Sequence, residues 1–197
     1  LIWQIKEENM TISVAWIRKV KDCEELVFVS DSRCAGGEYW DVCPKIINFE
    51  RADCALSFAG ATDYTYPLMM QVRNALNQQY RIKSRAMDIT DLSGHLLNQI
   101  NELCKQINRE KYHGDVTDYL RGTSFIFAGY SWIKKQFMIW ILRYSMSQKI
   151  FIKSLVRKNF LNIGKIAVIG DHVTRKERQK EKIKIDEKDL YVKNFLA

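Results

Sequence analysis

Along the chain, short runs of β-branched and aromatic residues bounded by Gly, Pro and Asp alternate with longer stretches of helical hydrophobic period. The runs 11–17 and 26–30, joined by the polar segment 18–25, predict a β-hairpin. Asp31-Ser32-Arg33 and a Gly36-Gly37 turn follow, Pro44-Lys45-Ile46-Ile47 opens a third run, and a fourth, 54–59, ends on Gly60. Later, 123–132, 136–144 and 149–155 read as a meander of three antiparallel strands with turns at 133–135 and 145–148. A further strand, 165–169, leads to Gly170-Asp171-His172.

Between these sets the period changes to that of helices. In 64–78, Leu68, Met69, Val72, Ala75 and Leu76 recur on one face, with Thr62 or Asp63 placed to cap the start and Pro67 expected in the first turn. In 89–108, Leu92, Leu96, Leu97, Ile100, Leu103, Cys104 and Ile107 share a face, and His95 reads as a partly exposed helix residue. Residues 109–122 are polar and predict a loop between layers. The charged run 174–189 suits a solvated helix with opposite charges near i, i+4 spacing. Trp132, Phe137, Trp140 and Tyr144 are read as packing residues on the meander's faces. By itself this order of elements indicates a mixed α/β sandwich, and strands apolar at nearly every position imply sheets covered on both faces.

Composition adds little bias. A chain of 197 residues suits one domain with a substantial core, and 47% hydrophobic and 27% charged residues are ordinary globular values. There is no repeat or low-complexity segment. The net charge of +8 is spread along the chain and accompanies no nucleic-acid-binding module, so no nucleic-acid partner is expected. The five cysteines, Cys23, Cys34, Cys43, Cys54 and Cys104, lack paired metal spacing. Cys34 and Cys43 flank a turn and could approach each other, but free, buried or half-buried thiols are the expectation. No apolar run approaches the roughly 20 residues of a membrane span, so a cytoplasmic protein without membrane contact is expected.

Candidate chemistry centres on Thr11, which directly follows Met10. If translation starts at Met10, removal of that Met leaves Thr11 with a hydroxyl and a free α-amine on one residue. An α-amine of reference pKa about 7.7–8.0 can accept the hydroxyl proton near neutral pH, so such a residue is a nucleophile carrying its own base. A Lys beside the hydroxyl would favour its ionisation and a carboxylate would hold that Lys; Lys45 and Asp31, at strand ends, are the candidates. Each has a plainer reading: Thr11 as the first residue of a strand, Asp31 as a turn cap, Lys45 as a solvated strand start. Gly60, at a strand-to-helix junction, either aims an unobstructed backbone N–H into a site or makes a tight turn.

These residues resemble a family. Thr11 opening a strand, Val29-Ser30-Asp31-Ser32-Arg33 after the hairpin, Lys45 opening the third strand and Phe58-Ala59-Gly60-Ala61-Thr62-Asp63 at the junction are together similar to N-terminal-nucleophile hydrolases, specifically proteasome β-subunits and their bacterial proteasome-like relatives. The likeness is clear over 11–77, looser to 170 and absent beyond. It implies an α+β fold, a four-layer αββα sandwich of two antiparallel sheets, over 11–172. Residues 1–10 are then an N-terminal extension or mis-assigned start, and 173–197 a charged C-terminal helix and tail, shorter than the family's end. It further implies amide (peptide) bond hydrolysis with Thr11 as nucleophile, Asp31 and Lys45 tuning it, and the Gly60 N–H donating to the oxyanion. Asp171 stands where the family usually has Ser after Gly, and Asn9-Met10 where it usually has Gly. No cofactor or metal is implied. Expected partners are a peptide or amide substrate, further copies of the chain in a homo-oligomer and an ATP-dependent unfoldase. The alternative is a non-catalytic structural or interaction subunit of the same fold, with residues 1–10 retained.

Overall fold

A computed structural model describes residues 11–36, 38–107, 116–157 and 164–170. The predicted hairpin is present as β1 (Ile12–Val20) and β2 (Cys23–Ser30), paired antiparallel from Ser13↔Ser30 to Val20↔Cys23. The segment 18–25, expected as a polar connection, is instead mostly strand. Arg18 opposes Glu25 and binds it at 2.7 Å, and the turn is reduced to Lys21 and Asp22, with Lys21 at φ 55°. Polar residues serve here because this end of the hairpin projects into solvent, and a two-residue turn with positive φ matches the twist of the strands.

The short strands β3 (Cys34–Gly36) and β4 (Glu38–Trp40) pair around the glycine turn, with Gly36 opposite Glu38; Gly37 lies outside the described residues. Next come β5 (Ile46–Asn48) and β6 (Cys54–Ala59). Helix α1 (Thr62–Asn77) follows. Neither Thr62 nor Asp63 caps it: the N-cap is Ala61, without a side-chain cap bond. Because the helix starts before residue 64, Pro67 falls in the second turn, and the Asp63 carbonyl loses its i+4 donor. A one-turn helix α2 (Tyr80–Lys83), absent from the sequence reading, buries Ile82. Helix α3 (Ile89–Lys105) has the predicted apolar face, and the buried Asp88 caps it by accepting from the Thr90 N–H at 2.9 Å. Part of the expected loop is helical, as α4 (Val116–Gly122), because Val116 and Leu120, one turn apart, reach the core.

The meander is β7 (Ser124–Ser131), β8 (Gln136–Ser145) and β9 (Ile150–Leu155), and β10 (Ile166–Gly170) follows. Two antiparallel sheets result, a five-stranded one ordered β5-β6-β7-β8-β9 and a three-stranded one ordered β10-β1-β2. Side chains alternate accordingly. Leu56, Phe58, Phe125, Phe127, Leu142 and Phe151 face helices α1, α3 and α4, while Ala59, Ile126, Ala128 and Ile139 meet Ala15, Ala167 and Ile169 of the smaller sheet. Trp140 stacks on Phe127 and Tyr144 packs edge-on to Phe151, as packing residues should; Trp132 differs, being half exposed.

The described residues therefore make three layers, helices on sheet on sheet. The two-sided coverage expected of all strands holds in the middle of the larger sheet, where every residue of β6 is buried, but not at its edge strand β9, where Ile150, Ile152 and Leu155 are exposed, nor in β1 and β2, partly exposed on their outer face, as at Ile12 and Val29. The charged run 174–189 lies outside the described residues. At the far end of the sandwich Lys165, next to β10, reaches across to β8, donating to Gln136 Oε1 at 2.9 Å and to the Phe137 carbonyl at 2.8 Å.

Candidate active site

Period-two alternation along β1 decides which way its first residues point. Thr11, Ser13 and Ala15 are buried against the larger sheet, while Ile12 between them is exposed. Ser13 meets that sheet directly, its hydroxyl donating to Ser57 Oγ of β6 at 2.8 Å. Both serines are fully buried, so this pair satisfies two hydroxyls that would otherwise be costly.

Asp31 sits where β2 ends beside the start of β1. Its N–H donates to the Ile12 carbonyl at 3.2 Å and its Oδ1 accepts from the Ile12 N–H at 2.9 Å, extending the ladder by one side chain. That fixes the carboxylate beside Thr11, and it replaces the local turn cap as Asp31's role. The other oxygen, Oδ2, accepts from Lys45 Nζ at 2.7 Å.

Lys45 enters from the other sheet. Pro44 favours extended backbone before it, and the Phe58 N–H donates to the Lys45 carbonyl at 3.4 Å, continuing the β5–β6 pairing. The reading of Lys45 as a solvated strand start is incorrect: its side chain has no solvent exposure, against 26% for Asp31. A buried ammonium is tolerable only when paired, and Lys45 has two acceptors, Asp31 Oδ2 and Thr11 Oγ1, the latter at 2.9 Å. Residues 34 and 14 positions apart in sequence thus converge on one nitrogen.

Gly60 follows β6, two residues after Phe58, at φ +125°. A side chain there is excluded twice, because a Cβ would lie 2.7 Å from Thr123 Cα and 2.9 Å from the Gly122 carbonyl. The junction is held by hydroxyls that sequence reasoning did not single out. Thr65 Oγ1 donates to the Ala61 carbonyl at 2.6 Å and lies 3.1 Å from Thr123 Oγ1, which donates to the Tyr119 carbonyl at 2.9 Å. A threonine early in a helix and another before a strand are too common to signal this. Asp171 lies outside the described residues; its neighbour Gly170 pairs with Ile12. The structure thus unites Thr11, Asp31 and Lys45 through hydrogen bonds and puts Gly60 just past the end of β6, the strand that pairs beside Lys45.

Cys34, Cys43, Thr62 and Tyr66 form a second cluster nearby. Burial, then a hydrogen bond to Cys43, pushes the Cys34 thiol up to about 11, with the Lys45 charge and a Thr62 hydrogen bond opposing. All five cysteines are free, but Cys23 is exposed rather than buried. His95 is half-buried and 2.9 Å from Gln79 Nε2. Among the described residues no group of three or more His, Cys, Asp or Glu side chains could hold a metal ion, and no helix is long and apolar enough to cross a membrane.

Chemically, an ammonium that donates to a threonine oxygen leaves the hydroxyl proton free to point elsewhere and stabilises negative charge on that oxygen. In this chain the Thr11 nitrogen is an amide joined to Met10, which has no basic lone pair. No protein-family model matches the chain, and no curated protein sequence matches it.

Proposed function

We propose that the chain hydrolyses amide, and specifically peptide, bonds through Thr11 once that residue is exposed as the N-terminus, in the manner of the N-terminal-nucleophile hydrolases its sequence resembles. The observation that carries this reading is the contact of the buried Lys45 ammonium with Thr11 Oγ1 at 2.9 Å and with Asp31 at 2.7 Å. The freed Thr11 amine takes the hydroxyl proton as the oxygen attacks the substrate carbonyl. Lys45 stabilises the charge on the attacking oxygen, and the Gly60 N–H donates to the carbonyl oxyanion. The protonated α-amine then gives its proton to the departing amine, leaving an ester on Thr11. Water, deprotonated by the same amine, cleaves that ester and regenerates the hydroxyl. Asp171 enters through the resemblance alone, as a further member of the proton network. The four-layer form of the sandwich, a homo-oligomeric ring and an ATP-driven unfoldase delivering substrate belong to the same proposal.

To test it, the protein is produced with translation starting at Met10, Met removal is verified by intact mass, and an epoxyketone is added. The expected result is an adduct on Thr11 formed by both its oxygen and its amine. A verified free Thr11 that stays unlabelled would refute the assignment.

A second reading, a non-catalytic structural or interaction subunit, is favoured by the burial of Thr11, only 9% exposed, and by its amide link to Met10. Mass analysis of the natural N-terminus separates the two. Retention of Met10 supports the subunit, and a chain beginning at Thr11 supports the hydrolase.

A further inference from the structure

We propose that Cys34 and Cys43 form a modification site, a dithiol that takes up the disulfide bond of a small-molecule disulfide and closes into an intramolecular Cys34–Cys43 bridge. The two thiols are brought together by backbone pairing. Cys34 opens β3, the Cys43 N–H donates to the Ser32 carbonyl at 3.0 Å, and both side chains pack on the same core cluster. The two thiols lie near enough for Cys43 to perturb the ionisation of Cys34, with Thr62 beside Cys34 and Tyr66 beside Cys43. The other cysteines lack this arrangement: Cys54 and Cys104 are buried on different elements, and Cys23 is exposed at the tip of the hairpin.

Burial sets the order of events. Cys34 is only 5% exposed, whereas Cys43 is half-buried and reachable. The Cys43 thiolate attacks one sulfur of the small disulfide, forming a mixed disulfide and releasing one thiolate. Cys34, after losing its proton, attacks the Cys43 sulfur and releases the second. The dithiol thereby loses two electrons and two protons, and the small disulfide is reduced to two thiols. Because burial raises the Cys34 thiol above its ordinary value, this second step accelerates as pH rises from neutral. The bridge ties together the segment connecting Asp31 to Lys45, so it stiffens the support of the buried ammonium without touching it.

The test uses the full chain carrying Cys23→Ser, treated with oxidised glutathione, quenched by alkylation and read by intact mass and peptide mapping. The expected product is lighter by two hydrogen atoms, with residues 34 and 43 in one cross-linked peptide and Cys54 and Cys104 still alkylatable after unfolding. Adding Cys34→Ser should stop the reaction at the mixed disulfide on Cys43; adding Cys43→Ser should slow glutathione uptake at least tenfold. The proposal is overturned by a stable mixed disulfide on Cys43 with Cys34 still alkylatable, by two free thiols, or by a bridge between molecules. Since each outcome is read by mass alone, none depends on amide hydrolysis.

Discussion

Replacing Asp31 with Asn should destabilise the protein more than replacing Lys45 with Met, although the lysine is the larger and more deeply buried of the two. Asp31→Asn preserves shape but retains only one side-chain acceptor for two donors, the Ile12 N–H and Lys45 Nζ. Whichever way the amide turns, one donor faces another, and the ammonium left without its charge partner has no solvent exposure through which to hydrate. An uncompensated buried charge costs about 3–5 kcal/mol. Lys45→Met instead removes the ion and fills its space with an apolar chain. The orphaned carboxylate keeps the Ile12 N–H and, being 26% exposed, can recruit water, so the loss should be about 1–3 kcal/mol. The double mutant, having neither charge, should resemble Lys45→Met, giving a coupling of about 2 kcal/mol or more. Urea denaturation of the four proteins followed by circular dichroism measures every quantity. A coupling under about 0.5 kcal/mol, as for exposed pairs, or a Lys45→Met loss larger than that of Asp31→Asn, would refute the reasoning.

On a chain beginning at Thr11, Lys45→Met should also slow epoxyketone labelling by about 10²-fold, a loss typical of positioned electrostatic groups; labelling at the wild-type rate in a folded protein would make the lysine purely structural. Gly129→Ala should cost about 3 kcal/mol or more, since its Cβ would lie 2.6 Å from the Asp53 carbonyl and from Cys54 Cβ, and thermal melting checks this. Burial works to raise the Asp88 carboxyl, but hydrogen bonds from Thr90, Ser131 and the Ile133 N–H outweigh it and hold the group below its ordinary 3.8. Its contribution to stability is therefore complete above about pH 4 and lost as pH falls through the lowered value. Asp88→Ala should destabilise by about 2 kcal/mol at pH 7 and by progressively less under acid, which urea melts across a pH series would show.

Much of the fold was legible because strand and helix periods differ and the middle of the larger sheet is buried on both faces, leaving runs such as 54–59 unmistakably apolar. Legibility failed where burial was not the determinant. The charged end of the hairpin is strand because Arg18 and Glu25 pair across it, a relation invisible to a search for apolar runs. Helix α4 hides in polar sequence because its buried apolar residues are few, Val116 and Leu120 among the described ones. At the candidate site, residue types suggested Thr11, Asp31 and Lys45, yet whether the lysine lay in solvent or between sheets depended on a contact spanning 34 residues, which no local window contains. The Ser13–Ser57 and Thr65–Thr123 contacts gave no sequence signal, since hydroxyl residues in such positions usually face water.

The two lysines that cross between the sheets work as opposed pins. Lys45 is carried by the larger sheet and grips the start of β1, whereas Lys165 is carried by the smaller sheet and grips β8. Lys165 lies beside Ile17, whose N–H it accepts through its carbonyl, and at about 3.3 Å per residue that is roughly 20 Å along β1 from Thr11. The seam between them mixes alanines (Ala15, Ala59, Ala128, Ala167) with isoleucines (Ile126, Ile139, Ile169), an apolar contact that resists separation but carries no directional bond against sliding. A slip of one residue at either end would carry the opposite lysine out of hydrogen-bonding range, so the sheets are held against shear as a plank is by a nail at each end. The hydroxyl of Thr11 is thus kept in register partly by a side chain far outside its own neighbourhood, and loosening Lys165 should be felt there as a change of alignment, with no residue of the site itself replaced.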